Sequence, residues 1–172
     1  IAFPAISTSR VLAAMQGAND RLRMGCIGVG SMGKGDAGDF SNLVDVVAIA
    51  DVDSEYGLAQ TLADEGIGTK RDGQRVRQPD AYGDYRKILE RNDIDVVSIV
   101  TTDPWHVKIA VEALMSGRHV FCQKPLTLTI EEGQLIRAAC KKYGSQVFQV
   151  GTQQRAQKDQ FALACLMVRK GL

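Results

Sequence analysis

The stretch GCIGVGSMG, residues 25–33, decides the fold of this chain. It joins an apolar run to a group of small residues, and its last six positions read G-x-G-x-x-G. Between a strand and a helix, this pattern is typical of a dinucleotide-binding turn. Gly28 would allow the tight turn, Gly30 would let backbone approach a pyrophosphate, and Gly33 would let the helix lie close to the strand.

The phosphates of such a ligand would meet the first turn of the following helix. The N–H groups of Ser31 and Met32 have no acceptor within that helix, and the helix dipole makes this end positive. Asp51 closes the next apolar run, where a carboxylate can accept hydrogen bonds from ribose hydroxyls. Because a carboxylate repels a 2′-phosphate, NAD is favoured over NADP. The alternative is that the glycines serve only a tight turn and that Asp51 caps the next helix.

Apolar runs along the chain predict a parallel sheet. The predicted strands cover residues 23–29, 44–50, 95–100, 119–122 and 146–150. They alternate with amphipathic segments, as in a Rossmann-type, doubly wound α/β fold. Segment 66–80 is polar and lacks periodicity, so we predict a surface excursion there, followed by a weak further strand near residues 81–82.

Two predicted helices have clear terminal signals. Asp103 is a candidate N-cap with Pro104 after it, and Gly117 ends the same helix. Thr129 and Glu132 form a capping box at the start of the next helix.

Composition excludes several classes of protein. The 172 residues are 45% hydrophobic and 24% charged, with a net charge of +1. We therefore expect a globular protein with neither a nucleic-acid nor a membrane partner. There is no Ser/His/Asp set and no cluster of His and Cys at metal-ligand spacing, so no metal is expected. Free, buried thiols are predicted for the four well-separated cysteines, Cys26, Cys122, Cys140 and Cys165.

The two ends differ from the central part of the chain. Residues 22–151 are the predicted NAD(P)-binding domain. Residues 1–21 are interpreted as a flexible leader or the remnant of an export signal, which leaves the cytoplasm and the periplasm both open. Residues 152–172 are predicted to begin the connection to a substrate domain. The helix predicted at 156–170 has an apolar face with nothing to cover it, so we expect the chain to be truncated.

A lysine and a proline follow the apolar run 119–122, and we call Gln123, Lys124 and Pro125 the Lys-Pro corner. The carboxyl ends of parallel strands share one rim. Lys124 at this rim would donate to a substrate oxygen or help to move a hydroxyl proton. Pro125 would stiffen the backbone, with a cis peptide as one option. The residues expected at the rim beside the glycine turn and Asp51 are Thr101, Thr102, Gln123, Lys124 and Thr152.

The run DVVSIVTTDPWHVKIAVEALMSGRHVFCQKPLTLT, residues 95–129, together with GCIGVGSMG, resembles the glucose-fructose oxidoreductase, inositol dehydrogenase and rhizopine-catabolism (Gfo/Idh/MocA) family. The resemblance covers residues 22–172 and implies that family's N-terminal nucleotide domain. It implies an NAD-dependent oxidoreductase of sugars or cyclic polyols, with Lys124 near substrate and nicotinamide and Pro125 commonly cis. A further acid/base group, often a histidine, and most of the sugar-binding surface would come from an absent C-terminal α/β domain.

One position of the corner departs from the family pattern, which is Glu-Lys-Pro. Gln123 keeps an acceptor oxygen but loses the charge, so contacts to the nicotinamide ribose are expected while an electrostatic influence on Lys124 stays open.

The roles of three further residues are also open. His106 is either a cofactor contact or a surface or capping group, Trp105 either lines the pocket or packs under the helix, and Arg155 either binds substrate or forms an interdomain salt bridge.

Three hypotheses about function follow. The leading one is an NAD-dependent dehydrogenase that acts on a CH-OH group and forms a homo-oligomer at full length. The alternatives are an NAD-using glycosidase and a dinucleotide-binding module without turnover. The fragment alone is expected to bind without turnover.

Overall fold

The computed structural model describes residues 21–153 and 161–171, and eight strands lie in the first of these ranges. They are β1 (Arg23–Ile27), β2 (Asp45–Ala50), β3 (Thr69–Arg71), β4 (Gln74–Arg77), β5 (Asp80–Tyr82), β6 (Val96–Ile99), β7 (His119–Cys122) and β8 (Phe148–Val150). Six of them form a parallel sheet in the order β5-β2-β1-β6-β7-β8. The chain winds outward from β1 to β5 and then crosses to β6, so the strand order reverses between β1 and β6. This confirms the doubly wound fold.

Helices connect the strands. They are α1 (Ser31–Phe40), a π-helical segment (Ser54–Ala59) that continues into α2 (Gln60–Ala63), α3 (Arg86–Leu89), a 3-10 turn (Asp103–Trp105) that continues into α4 (His106–Met115), α5 (Ile130–Lys142) and α6 (Leu163–Arg169). The capping box at Thr129 and Glu132 is confirmed. The prediction for Asp103 is wrong: the N-cap is Thr102, and Asp103 is the first residue of the 3-10 turn.

The core has two apolar clusters, and β1 and β2 contribute residues to both. β2 is buried at all six positions. Such a strand needs apolar side chains on successive residues, because both of its faces are covered. The larger cluster also holds the inner residues of α4 and α5.

The excursion predicted at 66–80 lies outside the main sheet, as expected, but the predicted lack of regular structure is wrong, because the segment contains an ordered antiparallel hairpin of β3 and β4. Asp72 and Gly73 both have positive φ angles, 52° and 79°. This is typical of a two-residue type I′ turn, and the Asp-Gly pair was the available sequence signal. Ile67 is fully buried, and Arg71 donates to Asp45 at 2.8 Å, so the hairpin is fastened to the sheet. The weak strand predicted at 81–82 is confirmed as part of β5.

The cysteines only partly match their prediction. All four are free, and Cys26 and Cys122 are buried. Cys140 is half-buried at the edge of the larger core cluster, and Cys165 is exposed. Burial raises the pKa of both Cys26 and Cys122 to about 12, which keeps them as thiols.

The ends of the chain lie partly outside the described residues. This applies to the predicted leader up to residue 20 and to positions 154–160. The apolar side chains on and beside α6 are exposed, in agreement with the expected uncovered face, and they are Phe161, Leu163, Leu166, Met167 and Val168. Within the described ranges, every helix is too short or too polar to cross a membrane.

Two glycines of α1 make a matched test of the packing at the turn. A Cβ atom at Gly33 would lie 1.9 Å from the carbonyl oxygen of Gly28, whereas one at Gly35 would have nothing within 4 Å. We expect Gly33→Ala to lower the free energy of unfolding by about 1–3 kcal/mol or more. Gly35→Ala should raise it by roughly 0.5–1 kcal/mol, because alanine is the better helix former. Urea unfolding of both variants measures this, and equal effects would contradict the packing argument.

Candidate dinucleotide and active site

The three motif glycines occupy three different environments at the end of β1. Gly28 has a φ angle of 79°, and a Cβ there would lie 2.7 Å from the Val100 backbone. A Cβ at Gly33 would overlap the Gly28 carbonyl, as described above. At Gly30, by contrast, a Cβ would meet only the Tyr56 ring, at 4.0 Å. The first and third glycines therefore serve the protein's own packing, and the second leaves open space beside the backbone.

The start of α1 faces that open space. Gly30 is the N-cap, and no side chain caps the helix. The first turn also lacks an acidic residue, so its N–H groups and positive dipole are available to an anion. A cavity of about 560 Å³ begins here and is lined by Gly28, Gly30, Ser31, Met32 and Gly33. These features fit a dinucleotide whose pyrophosphate lies against the helix end.

Asp51 lines the same cavity at the end of β2. One of its oxygens accepts the Val29 N–H at 2.8 Å and the other accepts the Asp53 N–H at 2.9 Å. Gly57 packs so closely that a Cβ would lie 2.5 Å from the Asp51 carboxyl carbon. The helix cap expected under the alternative is supplied by Asp53, which accepts the N–H groups of the next turn. Asp51 is therefore a preoriented carboxylate that is free to face a ribose.

The opposite wall of the cavity comes from the end of β6. Thr101 and Thr102 line it, and so does Trp105, which is 47% exposed. Of the two interpretations of Trp105, the pocket wall is therefore the correct one. Further lining residues that sequence reasoning missed follow β5, and they are Gly83, Asp84, Tyr85 and Arg86. Their available signal was the weak strand before them, since the end of β5 reaches the same rim.

Two arginines near the hairpin are occupied by partners within the protein. Arg71 is paired with Asp45, and Arg75 donates to the backbone carbonyls of Leu62 and Asp64. Neither lines the cavity, so neither is placed to bind a 2′-phosphate there.

The Lys-Pro corner follows β7, the strand next to β6. The Gln123 N–H donates to the Ile99 carbonyl at 2.9 Å, which continues the ladder to the rim. Lys124 is exposed, and the Lys124–Pro125 peptide is cis. Thr152, two residues after β8, is exposed at the same edge. The predicted rim residues therefore lie together, although the corner does not line the cavity itself.

The prediction that His106 contacts the cofactor is wrong. The side chain is 1% exposed, and its two ring nitrogens face backbone carbonyls. Nδ1 lies 2.6 Å from the Pro125 oxygen and Nε2 lies 3.0 Å from the Thr101 oxygen. The ring lies between the Lys-Pro corner and the β6 loop, and His106 is not among the residues that line the cavity.

Two further residues follow β8 along the chain. Arg155 lies outside the described residues, so its substrate role remains a prediction. Gln153 approaches the Met32 sulfur to 3.5 Å, which brings the end of β8 to the first turn of α1.

Comparison with known proteins agrees with this geometry. Residues 22–152 match the model of the Gfo/Idh/MocA oxidoreductase family, described as having an NAD-binding Rossmann fold. An inositol 2-dehydrogenase of Salmonella typhimurium is 31% identical over 140 residues, which are 80% of this chain and 38% of that protein. A glycosyl hydrolase family 109 protein of Shewanella pealeana is 36% identical over 121 residues, which are 66% of this chain and 25% of that protein.

A solved structure shows the same fold. The crystal structure of myo-inositol 2-dehydrogenase from Lactobacillus plantarum superimposes with a TM-score of 0.72 at 28% identity, over 88% of this chain and 42% of that one. This chain thus spans less than half the length of each of these relatives. The family match over residues 22–152 agrees with the structure, in which the strand order reverses between β1 and β6 and the glycine turn lies at that reversal. The chain therefore belongs to the Gfo/Idh/MocA oxidoreductase family and contains the NAD-binding Rossmann domain of that family.

Proposed function

We propose that the protein is an NAD-dependent oxidoreductase that moves hydride between nicotinamide and a carbinol carbon of a sugar or cyclic polyol. The observation that carries the proposal is an exposed lysine, Lys124, directly after β7, at the edge of the parallel sheet where β1 and β2 end in the glycine turn and Asp51. Membership of an oxidoreductase family and 31% identity to an inositol 2-dehydrogenase support the substrate class.

The cofactor would be held by the residues that line the cavity. Gly30 and the first turn of α1 would receive the pyrophosphate, because backbone N–H groups point into open space there. Asp51 would accept hydrogen bonds from the adenosine ribose, and its charge would disfavour a 2′-phosphate. Thr101 and Thr102 would contact the ligand from the β6 side. When bound, NAD supplies the nicotinamide that accepts or returns a hydride.

Lys124 would act on the reacting oxygen. Its amine can donate a hydrogen bond to the substrate hydroxyl and help to move the hydroxyl proton when the carbinol is oxidised to a carbonyl. Gln123 was expected to contact the nicotinamide ribose, but its side chain is 4% exposed and its amide contacts Asp36 and the Lys124 N–H instead. Arg155 would bind a polar part of the substrate. A second acid/base group would come from a C-terminal substrate domain that follows the connection at residues 152–172, in a full-length homo-oligomer.

A second candidate function is an NAD-using glycosidase. It is favoured by the glycosyl hydrolase family 109 relative, at 36% identity. Such an enzyme would oxidise and then reduce its sugar again, so it would cleave a glycoside with no net NADH. Steady NADH production with a free sugar or polyol supports the dehydrogenase, and glycoside cleavage without it supports the glycosidase. NAD binding with no turnover of either kind would favour a binding module.

Asp51 tests the cofactor site. We expect Asp51→Ala to weaken NAD binding and to narrow the preference for NAD over NADP, because the carboxylate that binds the ribose and repels a 2′-phosphate is lost. Calorimetric titration with both cofactors measures the change. Asp53→Ala is the matched control, since it removes a carboxylate two residues away that caps a helix turn and does not line the cavity. Unchanged titrations for Asp51→Ala would remove Asp51 from the site.

Lys124 tests the chemistry. In the full-length enzyme, Lys124→Ala should lower kcat by roughly a hundredfold or more, as for loss of a general acid/base group. NAD affinity should change little, because Lys124 does not line the cavity. Lys34→Ala, which removes a charge from α1, is the control for a general loss of positive charge. A kcat near normal for Lys124→Ala would exclude the proposed role.

A further inference from the structure

The Gln123 side chain forms a hydrogen-bonded link between α1 and the Lys-Pro corner. It is 4% exposed. Its Nε2 donates to Asp36 Oδ2 at 3.0 Å, and its Oε1 accepts the backbone N–H of Lys124 at 2.9 Å. The carboxylate on the helix is thus connected to the backbone that carries the lysine.

The two partners fix which way the Gln123 amide points. A backbone N–H can only donate, so the amide oxygen must face Lys124. An ionised carboxylate can only accept, so the amide nitrogen must face Asp36. A glutamate at position 123 would instead place two carboxylates within hydrogen-bond distance of each other, which disfavours ionisation of both.

The packing of α1 on β7 makes this contact a built part of the fold. Phe40 and Phe121 form an edge-to-face pair with ring centroids 5.2 Å apart. Asp36 lies one helical turn before Phe40, and Gln123 lies two residues after Phe121, so both pairs belong to one helix-strand interface. Gly151 closes the remaining side, where a Cβ would lie 2.5 Å from Gln123 Oε1. A side chain at position 151 would therefore displace the Gln123 amide.

An acidic side chain therefore lies beside the corner, although it does not belong to it. Position 123 carries an amide where the family pattern has a glutamate, and the carboxylate that contacts this amide is Asp36 of α1. Burial raises the pKa of the Asp36 carboxyl, and the hydrogen bond from Gln123 opposes that effect. The amide therefore favours the ionised form of the partly buried Asp36 carboxyl.

We propose that Asp36 is a positioning residue of the active site, which holds Gln123 so that its oxygen receives the Lys124 N–H, and that Asp36 and Gln123 form a matched pair in which only one member is acidic. The link to catalysis rests on the proposed function of Lys124. The contact itself does not.

A charge exchange tests the matched pair in the full-length protein. Gln123→Glu creates facing carboxylates, and the folded-state pKa of one of them rises above its unfolded value. Stability is then intact at low pH and is lost as the pH rises through that raised pKa. We expect the thermal midpoint of Gln123→Glu to fall relative to the parent protein between pH 5 and pH 8. The double variant Asp36→Asn/Gln123→Glu should abolish this difference, because asparagine can donate to the new carboxylate. An equal loss in both variants would overturn the pairing.

Hydrogen exchange at the Lys124 amide tests the positioning role without any assay of activity. Asp36→Ala removes the acceptor that holds Gln123, and the Lys124 N–H should exchange roughly tenfold faster, about the factor expected for one hydrogen bond. Asp36→Asn keeps an acceptor oxygen and should retain most of the protection. Asp39→Asn is the matched control, since it removes a charge from the same helix at an exposed position. Equal exchange in Asp36→Ala and the parent protein would overturn the proposal.

Turnover connects the same variants to catalysis. With a sugar or polyol that the parent protein oxidises, Asp36→Ala should lower kcat by about tenfold with a smaller change in the KM for NAD, and Asp36→Asn should recover most of kcat. Faster exchange at Lys124 with an unchanged kcat would keep the contact and overturn its catalytic role. A parent protein that binds NAD and turns over no substrate would overturn the proposed function, while the exchange and stability results would still decide whether Asp36 positions Lys124.

Discussion

The structure depends on the close approach of three backbone segments between β1 and β6. Gly28, Gly33 and the Val100–Thr101 peptide meet there at distances that leave no room for a side chain on either glycine. Only this approach lets α1 begin directly at the end of β1, with its first N–H groups towards the cavity. The connection after β1 leads towards β2, and the connection after β6 leads the other way, towards β7. No connecting segment therefore crosses the strand ends between β1 and β6, and the cavity opens there.

The glycine turn and the Lys-Pro corner are coupled through the elements between them. α1 starts at the turn and packs on β7 through Phe40, so one helix spans from the phosphate end of the cavity to the strand that carries Lys124. The His106 ring lies between the Pro125 carbonyl and the Thr101 carbonyl, so it contacts both the corner and the β6 loop. The backbone beside the exposed Lys124 is thus held by the contact between α1 and β7 on one side and by the buried His106 on the other. Such support is what keeps a flexible amine near one geometry.

The stability of the fold comes mainly from burial on both faces of the sheet, with polar contacts at its periphery. β2 is wholly buried, and its first residue, Asp45, is paired with Arg71 of the hairpin. Arg91 donates to Asp80 and Asp93, which ties β5 to the loop before β6, and the Arg91 hydrogen bond lowers the pKa of Asp93 to about 2. These pairs are partly exposed, so they orient the connections more than they stabilise them.

The sequence-based predictions were wrong where the structure of a segment, or the role of a residue, depends on tertiary contacts that no local pattern shows. The hairpin strands β3 and β4 are polar and only three and four residues long, which is too short for an apolar pattern to be recognised. The Asp72-Gly73 pair did mark the turn between them. His106 was placed correctly in the first turn of its helix, but its position within the sequence could not show that both ring nitrogens would meet carbonyls. Nothing in the sequence around Asp36 indicated its contact with Gln123, because the two residues lie 87 positions apart.

The sequence alone determined the parallel sheet, the glycine turn with Asp51, and the meeting of Gly28, Asp51, Thr101 and Lys124 at one rim. Each follows from local rules: apolar runs make buried strands, and parallel strands bring their carboxyl ends to the same edge. Tertiary structure decided the inward turn of His106, the wall formed after β5, and the pairing of Asp36 with Gln123. These depend on which face of one element packs against another, and residues far apart in the chain acquire that relation only when the core closes around them.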